Sequence, residues 1–382
     1  MPYSQEKMHR PQLLDLFCGA GGMSLGAARA GFDVMAGIDF DQRALKAHKT
    51  NFPHCKDLAL DISTTSAGDI YKEAGLLSGQ IDVITGGPPC QGFSSIGKKE
   101  PSDIRNQLVT HYFRLISELR PKAFVMENVP GVLSERNKDI LDFALSQLDG
   151  IYRVLPPRKL RANEVGAPTV RQRVIIVGFR ADVAYGIDDF WDHLDLEKAP
   201  VVRHALDGLP VDVPPIISPR NGRRKVSVKR VGHFFESVTN RVPEKVGDAH
   251  SLELYEEKSI VTGCLGTLHS PELESRYAKL EYGEQDPKTK SVKLDPGGYC
   301  PTLRAGTGPE KGSFQAVRPI HYLRPRVITP REAARLQGFP DWFQFDNTKW
   351  HAFRQIGNSV SPLVSESVLK NVFRCLFESE MQ

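Results

Sequence analysis

The sequence predicts an α/β protein: an open, largely parallel sheet joined to a smaller, loop-rich region. Three observations predict it. Short apolar runs alternate with helical patterns through the first half, a glycine loop follows the first run, and near residue 190 the regular pattern gives way to acidic and proline-rich stretches. The 382 residues, 40% of them hydrophobic, allow a packed core and roughly two domains.

Leu13, Leu14, Leu16 and Phe17 form the first strand, which breaks at Gly19-Ala20-Gly21-Gly22. Met23 to Ala30 reads as a helix that Gly31 can close. Val34 to Ile38 is a second strand ending at Asp39, Ile81 to Ile84 leads into Gly86-Gly87-Pro88-Pro89-Cys90, Ala123 to Met126 leads to Glu127, and Val174 to Val177 follows Arg171 and Arg173. Ile104, Leu108, Tyr112, Leu115, Ile116 and Leu119 recur at helical spacing until Pro121. Ligands of such sheets bind beyond the strands' carboxyl ends, so the polar residues there are expected to converge on one crevice.

A boundary is expected near residue 190, giving a first domain of residues 1–190 and a smaller one of 191–324 whose fold the pattern does not define. Regularity returns at Thr329-Pro330-Arg331-Glu332, where Thr329 as N-cap, Pro330 at N1 and Glu332 at N3 form a capping box, with Gly338 and Pro340 closing the helix. A last helix follows Ser361-Pro362, and its stripe of Val364, Val368, Leu369, Val372, Phe373 and Leu376 predicts that residues 325–382 fold back onto the first domain.

The net charge of +4 is mildly basic, so any nucleic-acid footprint must be local. Six scattered cysteines without a Cys-x-x-Cys pair argue against a disulfide framework and a zinc site, and no metal is expected. No run is long and apolar enough for a membrane span, and Met1 to Pro11 lacks the apolar centre of a signal peptide; a cytoplasmic setting is expected.

Two sites carry chemistry. Cys90 follows a strand and two prolines, which fix φ and remove donors, so the direction of its sulfur is set in advance. A lone cysteine here would read as a buried residue in a tight turn; the motifs around this one overturn that reading. Gly19-x-Gly21 followed by Asp39 resembles the dinucleotide fingerprint, but its third glycine is replaced by Ser24. The loop suits a nucleoside without pyrophosphate, such as S-adenosylmethionine, with Asp39 on the ribose hydroxyls and Phe17 and Phe40 as apolar neighbours.

Together these segments resemble the DNA (cytosine-5) methyltransferase family, bacterial type. Asp15-Leu16-Phe17-Cys18-Gly19-Ala20-Gly21-Gly22 is similar to its first cofactor motif, Pro88-Pro89-Cys90-Gln91 to its nucleophile motif and Glu127-Asn128-Val129 to its acid motif. Arg331 to Pro340 and Gln355-Ile356-Gly357-Asn358-Ser359-Val360 resemble its ninth and tenth. The resemblance implies a Rossmann-like methyltransferase domain dependent on S-adenosylmethionine, with a smaller target-recognition domain. It implies cofactor contacts from Phe17, Gly19, Gly21, Gly22, Asp39, Phe40, Asp61, Ile62, Pro88, Leu108, Asn358, Ser359 and Val360. Where the family's eighth motif usually reads Gln-x-Arg-x-Arg, this chain has Thr169-Val170-Arg171-Gln172-Arg173. Arg171 would then serve the nucleophile loop or the target base, Arg173 would support Glu127, and the role of Thr169 stays open.

The chemistry explains these residue types. C5 of cytosine is a poor nucleophile until a thiolate adds at C6, so Cys90 would form a covalent adduct while Glu127 stabilises charge at N3, with Arg171 raising the thiolate fraction. A base within a duplex must be flipped out to meet the thiol. Ser94, Lys98 and Lys99 lie on the following loop, a lid that would touch phosphate. Arg220, Arg223, Arg224 and Lys225 belong to an acid-free basic segment, and Thr302-Leu303 resembles a Thr-Leu element of the recognition domain. These are the candidate DNA contacts; a solvated face is the alternative for the basic segment. The expected partner is double-stranded DNA, the expected state a monomer, and a paired restriction endonuclease stays open. An RNA methyltransferase of the same superfamily is the alternative activity, but its relatives commonly carry Cys-Phe-Thr and no cysteine here precedes Phe. A catalytically silent DNA-binding regulator is the other.

Overall fold

The computed structural model describes residues 10–89, 107–184, 186–215, 222–227, 232–306 and 317–378. Its centre is an eight-stranded sheet built from β1 (Gln12–Leu16), β2 (Asp33–Ile38), β3 (Lys56–Leu58), β4 (Val83–Gly86), β5 (Ala123–Asn128), β6 (Tyr152–Val154), β7 (Arg158–Arg161) and β8 (Gln172–Arg180). The order is β3-β2-β1-β4-β5-β8-β6, with β7 also on β8. Strands β1 to β5 pair in parallel, while β8 is antiparallel to β5, β6 and β7. β1, β4 and β5 are buried throughout, as central strands covered on both faces must be. The order reverses between β1 and β4, the switch point at which open sheets bind ligands.

The helix after the glycine loop, α1 (Gly22–Arg29), has no exposed residue because it lies under the last helix of the chain. A Cβ at Gly26 would stand 2.1 Å from Ser365 Oγ, so only glycine permits this approach. Ser365 Oγ in turn donates to the Gly22 carbonyl at 3.0 Å. The C-terminal segment therefore returns to the first layer, as its apolar stripe predicts. The other helices flanking the parallel strands are α2 (Gln42–Asn51), α3 (Ala67–Ala74), α4 (Gln107–Leu119) and α5 (Lys138–Ser146).

The stretch around residue 190 is still bonded to this layer. Arg158 Nη1 donates to the Trp191 carbonyl at 2.8 Å, Asn371 Nδ2 to that of Phe190 at 3.0 Å, and Glu197 N to that of Glu164 at 2.9 Å. Beyond it come the short α6 (Val202–Ala205), β9 (Arg224–Lys225), α7 (His233–Phe235), α8 (Ala249–Lys258), β10 (Ile260–Val261) and α9 (Pro271–Lys279), with β9 and β10 forming an antiparallel ribbon. One apolar cluster runs from Leu13 and Phe179 through Phe235, Val261 and Leu303 to Phe339 and Val368. The middle region thus shares a core with the sheet layer.

The predicted capping box is present at α10 (Pro330–Leu336): Thr329 Oγ1 accepts from Glu332 N, and Glu332 Oε2 accepts from Thr329 N at 2.7 Å. α10 also buries three charged side chains, Arg331, Glu332 and Arg335. Every nitrogen of both guanidiniums has a partner. Arg335 pairs with Asp341 and donates to the Asp207 carbonyl at 2.6 Å, while Arg331 Nε donates to the Thr262 carbonyl at 2.8 Å. Just before the helix, Arg326 holds both oxygens of Glu332 and the Val211 carbonyl. Burial of unpaired charge is costly, so these bonds fix how the middle region sits on α10. α11 (Lys349–Asn358) and α12 (Pro362–Phe373) complete the fold.

Candidate active site

Leu16 is in register with Ile38 and with Gly86, and Gly86 with Met126, so β2, β1 and β4 end in line beside Met126 of β5. Phe17, Asp39, Gly87 and Glu127 follow those paired residues together. The loop after β1 passes through left-handed backbone at Phe17 (φ 60°), Gly19 (φ 56°) and Gly21 (φ 102°), and for Phe17 this conformation costs of order 1 kcal/mol.

Asp39 ties the loop down. Its Oδ2 accepts from Gly19 N and its Oδ1 from Asp41 N, both at 2.8 Å, and burial raises its carboxyl above the usual range. With Phe40 N also directed at the carboxyl, a lone pair still remains for a ligand hydroxyl. The three glycines differ in purpose. A Cβ at Gly19 would meet nothing within 4 Å, whereas at Gly21 it would strike the Phe52 ring and at Gly22 the Val360 carbonyl. Gly19 thus faces open space, while Gly21 and Gly22 allow internal packing. The Ser359–Val360 backbone thus packs directly on the start of α1.

The other cofactor candidates lie along the same edge. Phe40 is 78% exposed, leaving a ring face free to stack. Asp61 is exposed, and hydrogen bonds from Ser63 N and Oγ hold it ionised. Ile62 is buried, and Arg114 of α4 anchors its loop by donating to the Ile62 and Thr65 carbonyls at 3.0 and 2.8 Å. Leu108 is half-buried on α4, and Pro88 is buried with its carbonyl accepting from Asn128 Nδ2 at 3.3 Å. Asn358 is exposed, while Ser359 donates to Gln355 O and accepts from Gln337 Nε2. An open glycine, a tethered acid and an exposed aromatic are the groups that could hold a nucleoside.

Glu127 is buried near the end of β5, with Arg173 of β8 beside it. Arg173 Nε lies 2.8 Å from Glu127 Oε1, an ion pair whose N–H is not aligned for a hydrogen bond. A Cβ at Gly87 would stand 3.5 Å from Glu127 Oε2, so the stem of the Cys90 loop passes close to the carboxylate. Cys90, Ser94, Lys98, Lys99 and Arg220 lie outside the described residues.

Arg171 is buried, and backbone carbonyls hold its guanidinium. Its Nη1 donates to the carbonyls of Leu303 and Gly357 at 3.1 and 2.9 Å, and its Nη2 to that of Asn358 at 3.5 Å. Burial, with Arg173 adding to it, pulls its guanidinium down to about 9. It joins β8, the Thr302-Leu303 element and the Asn358 segment. Thr169 is buried; its neighbour Val170 N donates to the Cys300 carbonyl at 3.0 Å, while its own hydroxyl has no partner among the described residues. Thr302 is half-buried beside the Leu303 that Arg171 holds. Arg223 is exposed with Nη2 3.3 Å from His250, and Arg224 and Lys225 form β9.

Sequence reasoning did not single out Arg114, whose role depends on a contact 52 residues away. Nor did it find His48 and Asp57 beneath the glycine loop, although Ser24 in place of the third glycine marked the spot.

The sheet order, the glycine loop after β1 and the acids ending β2 and β5 define the class: a Rossmann-like methyltransferase fold. The profile of C-5 cytosine-specific DNA methylases matches residues 12–374. Type II methyltransferase M.XorII of Xanthomonas oryzae pv. oryzae is 37% identical over 375 residues, covering 97% of this chain and 86% of that protein. Among solved structures, a protein assigned as a DNA modification methyltransferase encoded within an E. coli prophage superposes with a TM-score of 0.85 at 43% identity, covering 96% of this chain and 99% of that one. Dnmt2 of S. pombe, at 18% identity and TM-score 0.60 over 98% of this chain and all of that one, shares the fold. The chain belongs to the C-5 cytosine-specific DNA methylase family.

Proposed function

We propose that the protein transfers a methyl group from S-adenosylmethionine to C5 of a cytosine in a specific double-stranded DNA sequence, as the modification enzyme of a type II restriction–modification system. The Arg173–Glu127 pair, set against the Gly87-Pro88 stem of the Cys90 loop, is the observation that carries this reading.

When bound, S-adenosylmethionine supplies a methyl group on a sulfonium. Gly19, Asp39, Phe40, Asp61, Ile62 and Leu108 would hold its nucleoside end, with Phe17, Pro88, Asn358, Ser359 and Val360 enclosing the rest, and Gly21 and Gly22 shaping the loop. Cys90 adds as thiolate to C6 of a flipped cytosine, which makes C5 electron-rich. Glu127 holds a proton at the N3 side as charge develops, and Arg173 fixes its carboxyl in that direction. Once C5 has been methylated and its proton removed, the thiolate leaves C6. Arg171 sets the distance between β8 and the Asn358 segment, and reaches the reaction through that spacing. Ser94, Lys98, Lys99, Arg220, Arg223, Arg224, Lys225 and Thr302 would contact DNA. No helix among the described residues is long and apolar enough to cross a membrane; a cytoplasmic monomer is the state we propose.

Bisulfite sequencing of plasmid from a host expressing the protein tests this. Protected cytosines at one recurring sequence are expected, absent from a Cys90→Ser control. Uniform conversion at every cytosine would refute the activity.

A further inference from the structure

Beneath the glycine loop lies a row of buried polar side chains that the reaction as described does not use. Ser24 Oγ stands 2.5 Å from Asp15 Oδ2 and 2.9 Å from His48 Nε2, and His48 Nδ1 stands 2.6 Å from Asp57 Oδ1. Thr85 Oγ1 donates to Asp15 Oδ1 at 3.0 Å. Ser24 and His48 are 0% exposed. The fold makes room for the imidazole: a Cβ at Gly37 would come 2.7 Å from His48 Cε1, and one at Gly21 would press on His48 and Phe52, whose ring stacks on the imidazole at 4.5 Å.

Asp15 on β1 and Ser24 on α1 flank the loop that carries Phe17, Gly19 and Gly21. The bond between them closes the loop at its base, nine residues apart in sequence. A glycine at position 24, as in the dinucleotide pattern, could not make it.

Counting donors gives the row a further property. An ionised Asp57 requires the proton on His48 Nδ1, and then Nε2 and Asp15 both face Ser24, whose hydroxyl has one proton to give. Both contacts are satisfied only with one additional proton. Either Asp15 Oδ2–H donates to Ser24 Oγ and Ser24 donates to Nε2, or Nε2–H donates to Ser24 Oγ and Ser24 donates to Asp15. The two arrangements interconvert by shifting two protons along the row, with no change in net charge. Without the additional proton, one short contact sets two acceptors against each other, which is costly in a buried site.

We propose that Ser24, with His48 and Asp57, is a positioning group for the methyl-donor loop, closing it through a proton shared with Asp15. The proposal rests on the reading of this loop as the S-adenosylmethionine site. Among the described residues, Asp39, Cys18, Cys55 and Tyr112 also face the row; burial raises both thiols and the Tyr112 hydroxyl, which stay protonated. Burial also raises Asp15, which favours keeping the shared proton.

Titration calorimetry with S-adenosylmethionine and steady-state kinetics on the full chain test it. Ser24→Ala should raise the donor's Kd and KM roughly tenfold while kcat falls less than threefold, the scale of one lost charge-assisted hydrogen bond. Ser24→Thr, which keeps the hydroxyl, should recover most of the affinity. For the unmodified protein, donor affinity should weaken as pH rises and the shared proton leaves, and Ser24→Ala should lose that dependence. Unchanged Kd in a folded Ser24→Ala, or a flat affinity profile of the unmodified protein from pH 6 to 9, would overturn the proposal; the profile decides if the variants do not fold. Asp39→Ala separates the two readings. If it leaves donor binding intact, the site itself is misplaced; if it weakens binding while Ser24→Ala does not, only the positioning role fails.

Discussion

The carboxyl edge of the sheet and the middle of the chain are held together in opposite ways. At the edge, bonds reach a neighbouring strand or the next loop, as Gly19 N reaches Asp39 across 20 residues. In the middle, buried guanidiniums reach across more than a hundred: Arg171 to Leu303 over 132, Arg335 to Asp207 over 128, Arg326 to Val211 over 115. The edge repeats a local pattern of strand, turn and acid. The middle is irregular backbone, whose carbonyls need donors, and long arginine side chains supply them. The edge is therefore built from short-range parts, and the middle region is mounted on long-range brackets.

The largest effect that would sharpen this contrast is at the edge. Glu127→Gln removes the carboxyl but little volume, so methyl transfer to plasmid DNA should fall about 10²- to 10⁴-fold with thermal stability nearly unchanged. Loss of stability in proportion would make Glu127 a bracket like the others. In the middle the reverse is expected. Arg335→Ala strands Asp341 and should cost about 3–5 kcal/mol in urea unfolding. A single transition is expected from the shared core; two separated transitions would split the molecule where we see one cluster.

A smaller effect comes from His321, buried beside Arg326 and Glu332. Burial pushes its imidazole down to about 4 from the usual 6.5, with Arg326 and Arg324 assisting against Glu332. The unfolded chain takes up that proton first as pH falls. The contribution is thus complete above about pH 6.5 and is lost as pH drops towards 4, by at most about 3 kcal/mol. Urea midpoints measured across that range should decline, and less steeply in His321→Asn. Smallest is the ribbon: if Arg223 and Arg224 touch phosphate, replacing both by Gln should reduce the slope of log affinity against log salt by about 2. An unchanged slope would make β9 a solvated face.

How far the molecule could be read follows the same division. The first strands, α1, the long helix before Pro121 and the capping box at Thr329 are legible because apolar spacing and capping are local signals. Glu127 and Arg173 could be matched to motifs, and the sheet sets them 2.8 Å apart. That Gly21 and Gly22 serve packing while Gly19 faces open space could not be read, since it depends on Phe52 and Val360 arriving from elsewhere. Arg171 could be read as an arginine near the nucleophile, but its carbonyl partners belong to two distant segments. The middle region gave little because its order lies in such contacts and not in periodicity.

The claim that this edge performs cytosine methylation through Cys90 can be tested on a single substrate. With fluorine at C5 of the target cytosine, an adduct at C6 can accept the methyl group but has no C5 proton to lose, so the thiolate cannot leave. Intact mass spectrometry of protein incubated with S-adenosylmethionine and such a duplex should show one covalent complex per strand, carrying the added methyl group, and none with Cys90→Ser. An adduct that persists in Cys90→Ser, or none in the unmodified protein on DNA that it binds, would contradict the account.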